Sequence, residues 1–297
     1  MKRFLAYIFA LVALCPLAKA ADGDIVPYPV PPEDMTGLTD RCNFLVSRFW
    51  NHCDFKGAMS KKEKLSNTFG DWISFMPYAS ADTVHASIDR LLKQISKNGP
   101  QTLEFARLAE RWAYCDSADI FSEEIYLPFA RAAANHKKIS GADRARFQSQ
   151  VQIIENTTLR RPVKHLTWVT PEGQPGSIDD VHSQVIVLLF NDHDCDDCAL
   201  ARIRLNADIN ATAMQKAGIL TVVSIEPFEA TDEWREAAKS YPEEWIKGAS
   251  EDADSWFALR TSPTIYILDA RHKILAKDVR IDGLLAALQQ VRQNSGL

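Results

Sequence analysis

A chain of 297 residues, 46% hydrophobic and 25% charged, carries enough apolar material for two globular domains and not for many more. Its formal net charge of −5 argues against a basic surface for nucleic acid or anionic lipid. Beyond the first twenty residues no apolar run approaches the ~20 residues of a spanning helix, and no repeat or low-complexity tract is visible.

Residues 1–20 have the pattern of a secretory signal peptide. Lys2 and Arg3 are the basic start, Phe4–Leu17 the apolar stretch and Ala18-Lys19-Ala20 a small-x-small cleavage site. Cys15 raises the question of a lipoprotein, but Leu14 is bulky where a small residue would be needed and Pro16 follows, so lipidation is not expected. Cleavage leaves 31 basic residues against 39 acidic ones, a net charge near −8. The expected location is periplasmic or otherwise exported, where disulfides can persist.

Residues 21–35, with Pro27, Pro29, Pro31 and Pro32, read as a Pro-rich tether. Residues 36–160 read as an all-α domain of six short helices. Leu38, Phe44, Leu45, Phe49 and Trp50 mark the first. Phe69, Trp72, Ile73 and Met76 mark a second, broken at Pro77; Val84, Ile88, Leu91, Leu92 and Ile95 a third, stopped by Gly99-Pro100. Leu103, Phe105, Ala106, Leu108 and Trp112 mark a fourth, and Glu123–His136 and Ala142–Ile154 supply two more. If Cys42 and Cys53 share the first helix they lie about 16 Å apart, beyond the ~7 Å reach of a disulfide. With Cys115 they are expected to be buried free thiols, a bridge from Cys115 to either being the alternative.

The pattern changes after Arg160-Arg161-Pro162, and residues 161–297 read as an α/β domain with a mixed sheet. Val163–Val169 and the turn Pro171-Glu172-Gly173 predict a strand and hairpin, and the continuous apolar run Val185–Phe190 a buried central strand. A helix is predicted to about Ala217, with Gly218 as its stop, then a strand over Ile219–Ile225. Helices follow over Asp232–Ser240 and Ser255–Leu259, strands over Thr264–Leu268 and Lys273–Ala276, and a last helix over Ile281–Val291.

Between the central strand and the next helix stands Cys195-Asp196-Asp197-Cys198. Two cysteines three apart at such a junction can close and reopen a disulfide ring, the arrangement thiol–disulfide exchange needs, although half a zinc site has the same spacing. With Ser262-Pro263-Thr264 opening a later strand, this layout resembles the thioredoxin fold. Phe190–Cys198, Tyr241-Pro242-Glu243-Glu244-Trp245-Ile246 and Thr261–Asp269 are similar to the TlpA/ResA-like thioredoxin proteins of Bacteroidota. Phe49-Trp50, Phe75-Met76-Pro77-Tyr78 and Glu123–Phe129 resemble the helical domain DUF5106 that often precedes such a module. The resemblance covers about residues 36–295.

It implies an α/β thioredoxin-like domain behind a small all-α domain, and an exported thiol–disulfide oxidoreductase that needs no cofactor and no metal. Cys195 matches the attacking nucleophile at the helix N-terminus and Cys198 the resolving cysteine. Pro263 matches the family's cis-proline, and Ser262 would offer its backbone to an extended substrate peptide. The implied partners are envelope proteins carrying disulfides and a membrane electron donor of the CcdA/DsbD kind, with no nucleic acid.

Two departures stand out. Asp194 replaces a tryptophan before the first cysteine, and Leu189 stands where thioredoxins carry a buried acid, so the proton acceptor for Cys198 is left open, Glu226 and Asp269 being unsupported guesses. Asp192, Asp194, Asp196 and Asp197 surround the sulfurs. A negative charge ~6 Å from a thiolate costs roughly 0.7 kcal/mol in water, so these acids oppose the helix N-terminus and predict a reductant. Three other readings are available. Cys195, Cys198 and His193 with the aspartates could take copper or zinc, but no second CxxC or HxxxH completes a set. Peroxiredoxin chemistry would want threonine where Asp192 stands. A non-enzymatic protein, with the helical domain binding a partner and the redox module as support, is the main alternative.

Overall fold

The computed structural model describes residues 25–294, so the expected signal peptide and Cys15 lie outside the described residues. The chain divides into two compact units between Gln148 and Ser149.

The first unit contains α1 (Leu38–Arg48), α2 (Phe55–Ala58), α3 (Lys62–Phe75), α4 (Ala81–Ile95), α5 (Gly99–Ala113), α6 (Glu123–Asn135) and the beginning of α7 (Gly141–Asn156). Ser80, Asn98 and Ser122 start α4, α5 and α6 by accepting backbone N–H groups with their side chains. Gly99-Pro100, expected as a stop, instead opens α5. Proline belongs in a first turn, where its missing N–H would have had no intrahelical partner. α1 ends at Arg48, short of the expected Trp50. Phe49 and Trp50 lie in the turn beyond it, and Trp50 meets the rings of Phe55, Phe69, Trp72 and Phe105 at centroid separations of 5.5–6.2 Å. Periodicity alone does not register that the apolar spacing runs past the end of the helix into this turn. Cys53 therefore does not share a helix with Cys42, and Cys42, Cys53 and Cys115 are free thiols, only the first fully buried. Residues 25–35 form no helix or strand, yet Val26 is buried and the Tyr28 ring sits edge-on to Phe49 at 5.3 Å.

The second unit is built on seven strands: β1 (Thr167–Val169), β2 (Pro175–Ser177), β3 (Val185–Phe190), β4 (Leu220–Glu226), β5 (Ile246–Ala249), β6 (Thr264–Asp269) and β7 (Ile274–Ala276). Their order is β2-β1-β5-β4-β3-β6-β7. β3 runs parallel to β4, and β4 to β5, while β6 is antiparallel to β3. The helices are α8 (Asp196–Ala207), α9 (Ile209–Lys216), α10 (Asp232–Ala238), α11 (Ala253–Trp256) and α12 (Ile281–Asn294). Where one helix was expected to run to Ala217, Asp208 divides it, its carboxylate accepting the N–H groups of Asn210 and Ala211 at 2.9 and 2.8 Å. No helix among the described residues is both long and apolar enough to cross a membrane.

All six residues of β3 are buried, as a continuous apolar run predicts for a strand covered on both faces. Ile186, Leu188 and Phe190 pack with Phe257, Tyr266 and Leu268. Val185, Val187 and Leu189 pack with Leu205, Met214, Leu284 and Leu288 from the helices opposite.

β5 was not expected from the sequence, because a short Ile-Lys-Gly-Ala stretch carries no strand pattern. It pairs in parallel with β4, and its glycine is what its neighbour requires. A side chain at Gly248 would collide with the Trp168 ring of β1, and one at Gly176 of β2 would meet the same ring. Trp168 thus lies across two glycine-made gaps. Gly248→Ala is expected to destabilise the protein by about 1–3 kcal/mol, seen as a lower denaturation midpoint. Gly141→Ala, whose added methyl meets nothing within 4 Å, should leave the midpoint unchanged or slightly raised.

Candidate functional site

Cys195 is the N-cap of α8, in extended conformation, and its Sγ accepts the backbone N–H of Cys198 at 3.1 Å. A sulfur in that position receives what a capping oxygen would: an orphan amide and the positive end of the helix dipole. Cys195 is half-buried and Cys198 is 0% exposed. Burial pushes the Cys198 thiol up to about 12, reinforced by its interaction with Cys195 and opposed by hydrogen bonds from Ser262 and the Asp192 backbone. One sulfur is accessible and capped, the other sheltered and reluctant to ionise.

The Ser262-Pro263 peptide bond is cis, as the resemblance implied. The carbonyl of Ser262 lies 3.8 Å from Cys195 Sγ, and its hydroxyl 3.1 Å from Cys198 Sγ. Ser262 therefore meets both sulfurs, and its side-chain contact with Cys198 is not legible in the sequence. Sheet register brings it there, Phe190 pairing with Thr264 across β3 and β6.

The loop before Cys195 is pinned from below. Asn191 is buried and donates to the Leu189 carbonyl and the Ser224 hydroxyl at 3.1 and 2.9 Å. Arg202 of α8 reaches back to Asn191 Oδ1 at 2.6 Å and stacks over the Tyr241 ring at 4.3 Å.

Beneath the loop lies Glu226, at the end of β4 and 1% exposed. Its Oε2 accepts the His193 backbone N–H at 3.0 Å, and its Oε1 lies 3.3 Å from His193 Nδ1. Asp192 Oδ1 stands 3.5 Å from the same ring nitrogen. Burial raises the Glu226 carboxyl above its ordinary range, against the opposing pull of His193. Among the described residues, Asp192, His193 and Glu226 bring donor atoms within 4.8 Å of one another, close enough to share a cation, and the motif cysteines are not part of that group.

Leu189 lies in the apolar cluster, so the buried acid beside this motif comes from the neighbouring strand instead. Asp269 is at the wrong end. It pairs with Val185, five residues or about 17 Å along β3 from Phe190, and its carboxylate accepts the N–H groups of Arg271 and Lys273 in the following turn. Asp194, Asp196 and Asp197 are exposed, where water screens their charges, while Asp192 is half-buried and accepts the Asp194 N–H at 2.8 Å.

Residues 17–157 match the model of a domain of unknown function, DUF5106. The structure is similar to a thioredoxin-like protein from Bacteroides caccae, with a TM-score of 0.72 and 21% identity over 89% of this chain and 98% of that one. A conserved protein of unknown function from Bacteroides fragilis aligns at 28% identity and a TM-score of 0.42, over 44% of this chain and 98% of its own. The thioredoxin domain of a thiol-disulfide oxidoreductase from Bacteroides vulgatus aligns at 19% identity and a TM-score of 0.38, over 45% of this chain and 97% of its own. Comparison with curated proteins found no match. The chain joins a helical domain that matches the DUF5106 model to a domain with the thioredoxin fold.

Proposed function

We propose that the protein is an exported thiol–disulfide oxidoreductase that reduces disulfides of envelope proteins through Cys195 and Cys198. The observation that carries this reading is the convergence of both sulfurs on Ser262 at the N-terminus of α8. Export rests on the signal-peptide pattern of residues 1–20.

The chemistry runs in two steps. The Cys195 thiolate, having given its proton to solvent, attacks one sulfur of a substrate disulfide; a mixed disulfide forms, and the substrate's other sulfur leaves as a thiolate. Cys198, deprotonated in turn, attacks Cys195 Sγ, closing the Cys195–Cys198 disulfide and releasing the substrate's second sulfur. Two electrons pass to the substrate, and its two sulfurs take up two protons. A dithiol donor, for which a membrane conduit of the CcdA/DsbD kind is proposed, restores the reduced pair.

The division of labour follows from the environments. Cys195 is accessible and its sulfur already accepts an amide proton, so it attacks first. Cys198, raised by burial, acts when Cys195 is held beside it in the mixed disulfide, where proximity replaces acidity. The Ser262 hydroxyl, 3.1 Å away, favours the Cys198 thiolate at that moment.

Cys195→Ser should abolish disulfide reduction in a turbidity assay with a disulfide-linked protein. A cellular phenotype that survives this substitution would move the working part to the helical domain. Cys198→Ser should accumulate mixed disulfides with envelope proteins, visible on non-reducing gels and absent from the Cys195→Ser variant.

The raised Cys198 thiol gives a pH prediction. A thiol whose pKa is raised is protonated at neutral pH and ionises only as pH climbs toward that value. In the Cys195→Ser variant, which keeps the burial but loses the neighbouring thiol, alkylation of Cys198 should be slow near neutrality and keep accelerating above the ordinary thiol value; a plateau at the ordinary thiol value would contradict it. Equilibration with glutathione should place the couple nearer the ~−270 mV of thioredoxin than the ~−120 mV of DsbA, and a potential above about −150 mV would overturn the reductant assignment.

A further inference from the structure

We propose that Asp192, His193 and Glu226 form a binding site for a divalent transition-metal ion of the zinc class, at the carboxyl ends of β3 and β4. The sequence separates Glu226 from the other two ligands by more than thirty positions, and the parallel register of β3 and β4, pairing Phe190 with Ile225, puts them together. Such crevices at the carboxyl ends of parallel strands are where α/β sheets take ligands.

The distances suit an ion. With metal–nitrogen and metal–oxygen bonds of about 2.0–2.2 Å, a tetrahedral site holds its ligand atoms about 3.3–3.6 Å apart. His193 Nδ1 lies 3.3 Å from Glu226 Oε1 and 3.5 Å from Asp192 Oδ1. One imidazole and two carboxylates form a borderline donor set that fits zinc, cobalt or manganese better than the soft copper(I) ion.

Both carboxylates are held by the backbone, as ligands at metal sites are. Glu226 accepts the His193 N–H and Asp192 the Asp194 N–H. Charge supports the same conclusion. Glu226 is buried beside a second acid, and the cations nearby are His193, if protonated, and Arg202, which is engaged by the Asn191 side chain and the Asp192 carbonyl. A dipositive ion would neutralise two carboxylates with the imidazole neutral. Tyr241 is a second, independent sign. It is 7% exposed, its hydroxyl has no hydrogen-bond partner among the described residues, and it is close enough to Glu226 and Asp192 for their charges to act on it. A metal-bound water would give that hydroxyl a partner. His193 and Asp192 are 26% and 35% exposed at their side chains, which leaves a path for the ion to enter.

The proposal is independent of the redox reading and is tested without it, on the full chain carrying Cys195→Ser and Cys198→Ser so that neither motif thiol can bind. Titration with Zn²⁺ by calorimetry, and with Co²⁺ by visible absorption, should show one saturable site with the intense bands of four-coordinate cobalt. His193→Ala and Glu226→Gln, each added to that background, should weaken binding at least about tenfold. His193→Ala removes a partly exposed side chain, so it serves where Glu226→Gln fails to fold. No saturable uptake would overturn the proposal. Uptake unchanged by His193→Ala, or octahedral cobalt spectra unaffected by either substitution, would overturn it too.

Discussion

The alignment of three strands makes the site. β3 pairs residue by residue with β4 on one side and β6 on the other, so Phe190 stands beside both Ile225 and Thr264. The residues that follow or precede those positions are thereby forced together. Asn191–Cys195 continues from β3, Glu226 closes β4, and Ser262-Pro263 leads into β6. A slip of one residue along either pairing would turn every side chain of the affected strand to the other face, into clusters already filled by Tyr266 and Phe257 or by Met214 and Leu284. The apolar cores on the two faces of β3 thus hold the chemistry in register while taking no part in it.

Around the cysteines, polarity is arranged by depth. The exposed acids Asp194, Asp196 and Asp197 stand in water at the mouth of the motif, and those at the start of α8 suit its helix dipole. Deeper, every anchor is specific: Arg202 on Asn191, Asn191 on Ser224, His193 on Glu226. Cys198 lies at the inner boundary, with a serine hydroxyl on its sulfur and its ionisation suppressed by burial. The contrast between the two sulfurs is one of solvation and hydrogen bonding rather than of sequence neighbours.

The helical unit follows a different logic. Its interior is a cluster of rings, with Trp50, Phe69, Trp72 and Phe105 meeting edge to face, and Trp72 donates its indole N–H to the Val46 carbonyl at 3.2 Å. That bond satisfies the one polar atom of Trp72 without charge, while the buried Trp50 Nε1 has no partner among the described residues. Phe49 and Trp50, just beyond the end of the first helix at Arg48, belong to the same ring cluster.

Local pattern determined a good deal. The spacing of apolar residues located most helices of the first unit, the run Val185–Phe190 announced a buried strand, and the spacing of Cys195 and Cys198 marked a candidate redox pair, Ser262 and Pro263 being implied by the family resemblance. These are short-range properties, carried by residues a few positions apart. Tertiary structure decided the rest. It made a strand of Ile246–Ala249, which pairs with β4 and whose Gly248 leaves room for Trp168. It put the Ser262 hydroxyl on Cys198, placed Asp269 at the far end of the sheet, and raised Glu226 from a guess to the buried acid under the motif. Those facts depend on strand pairing between residues more than twenty positions apart. A single sequence carries no direct signal of register, so the partners of the cysteines could be known only once the sheet had formed.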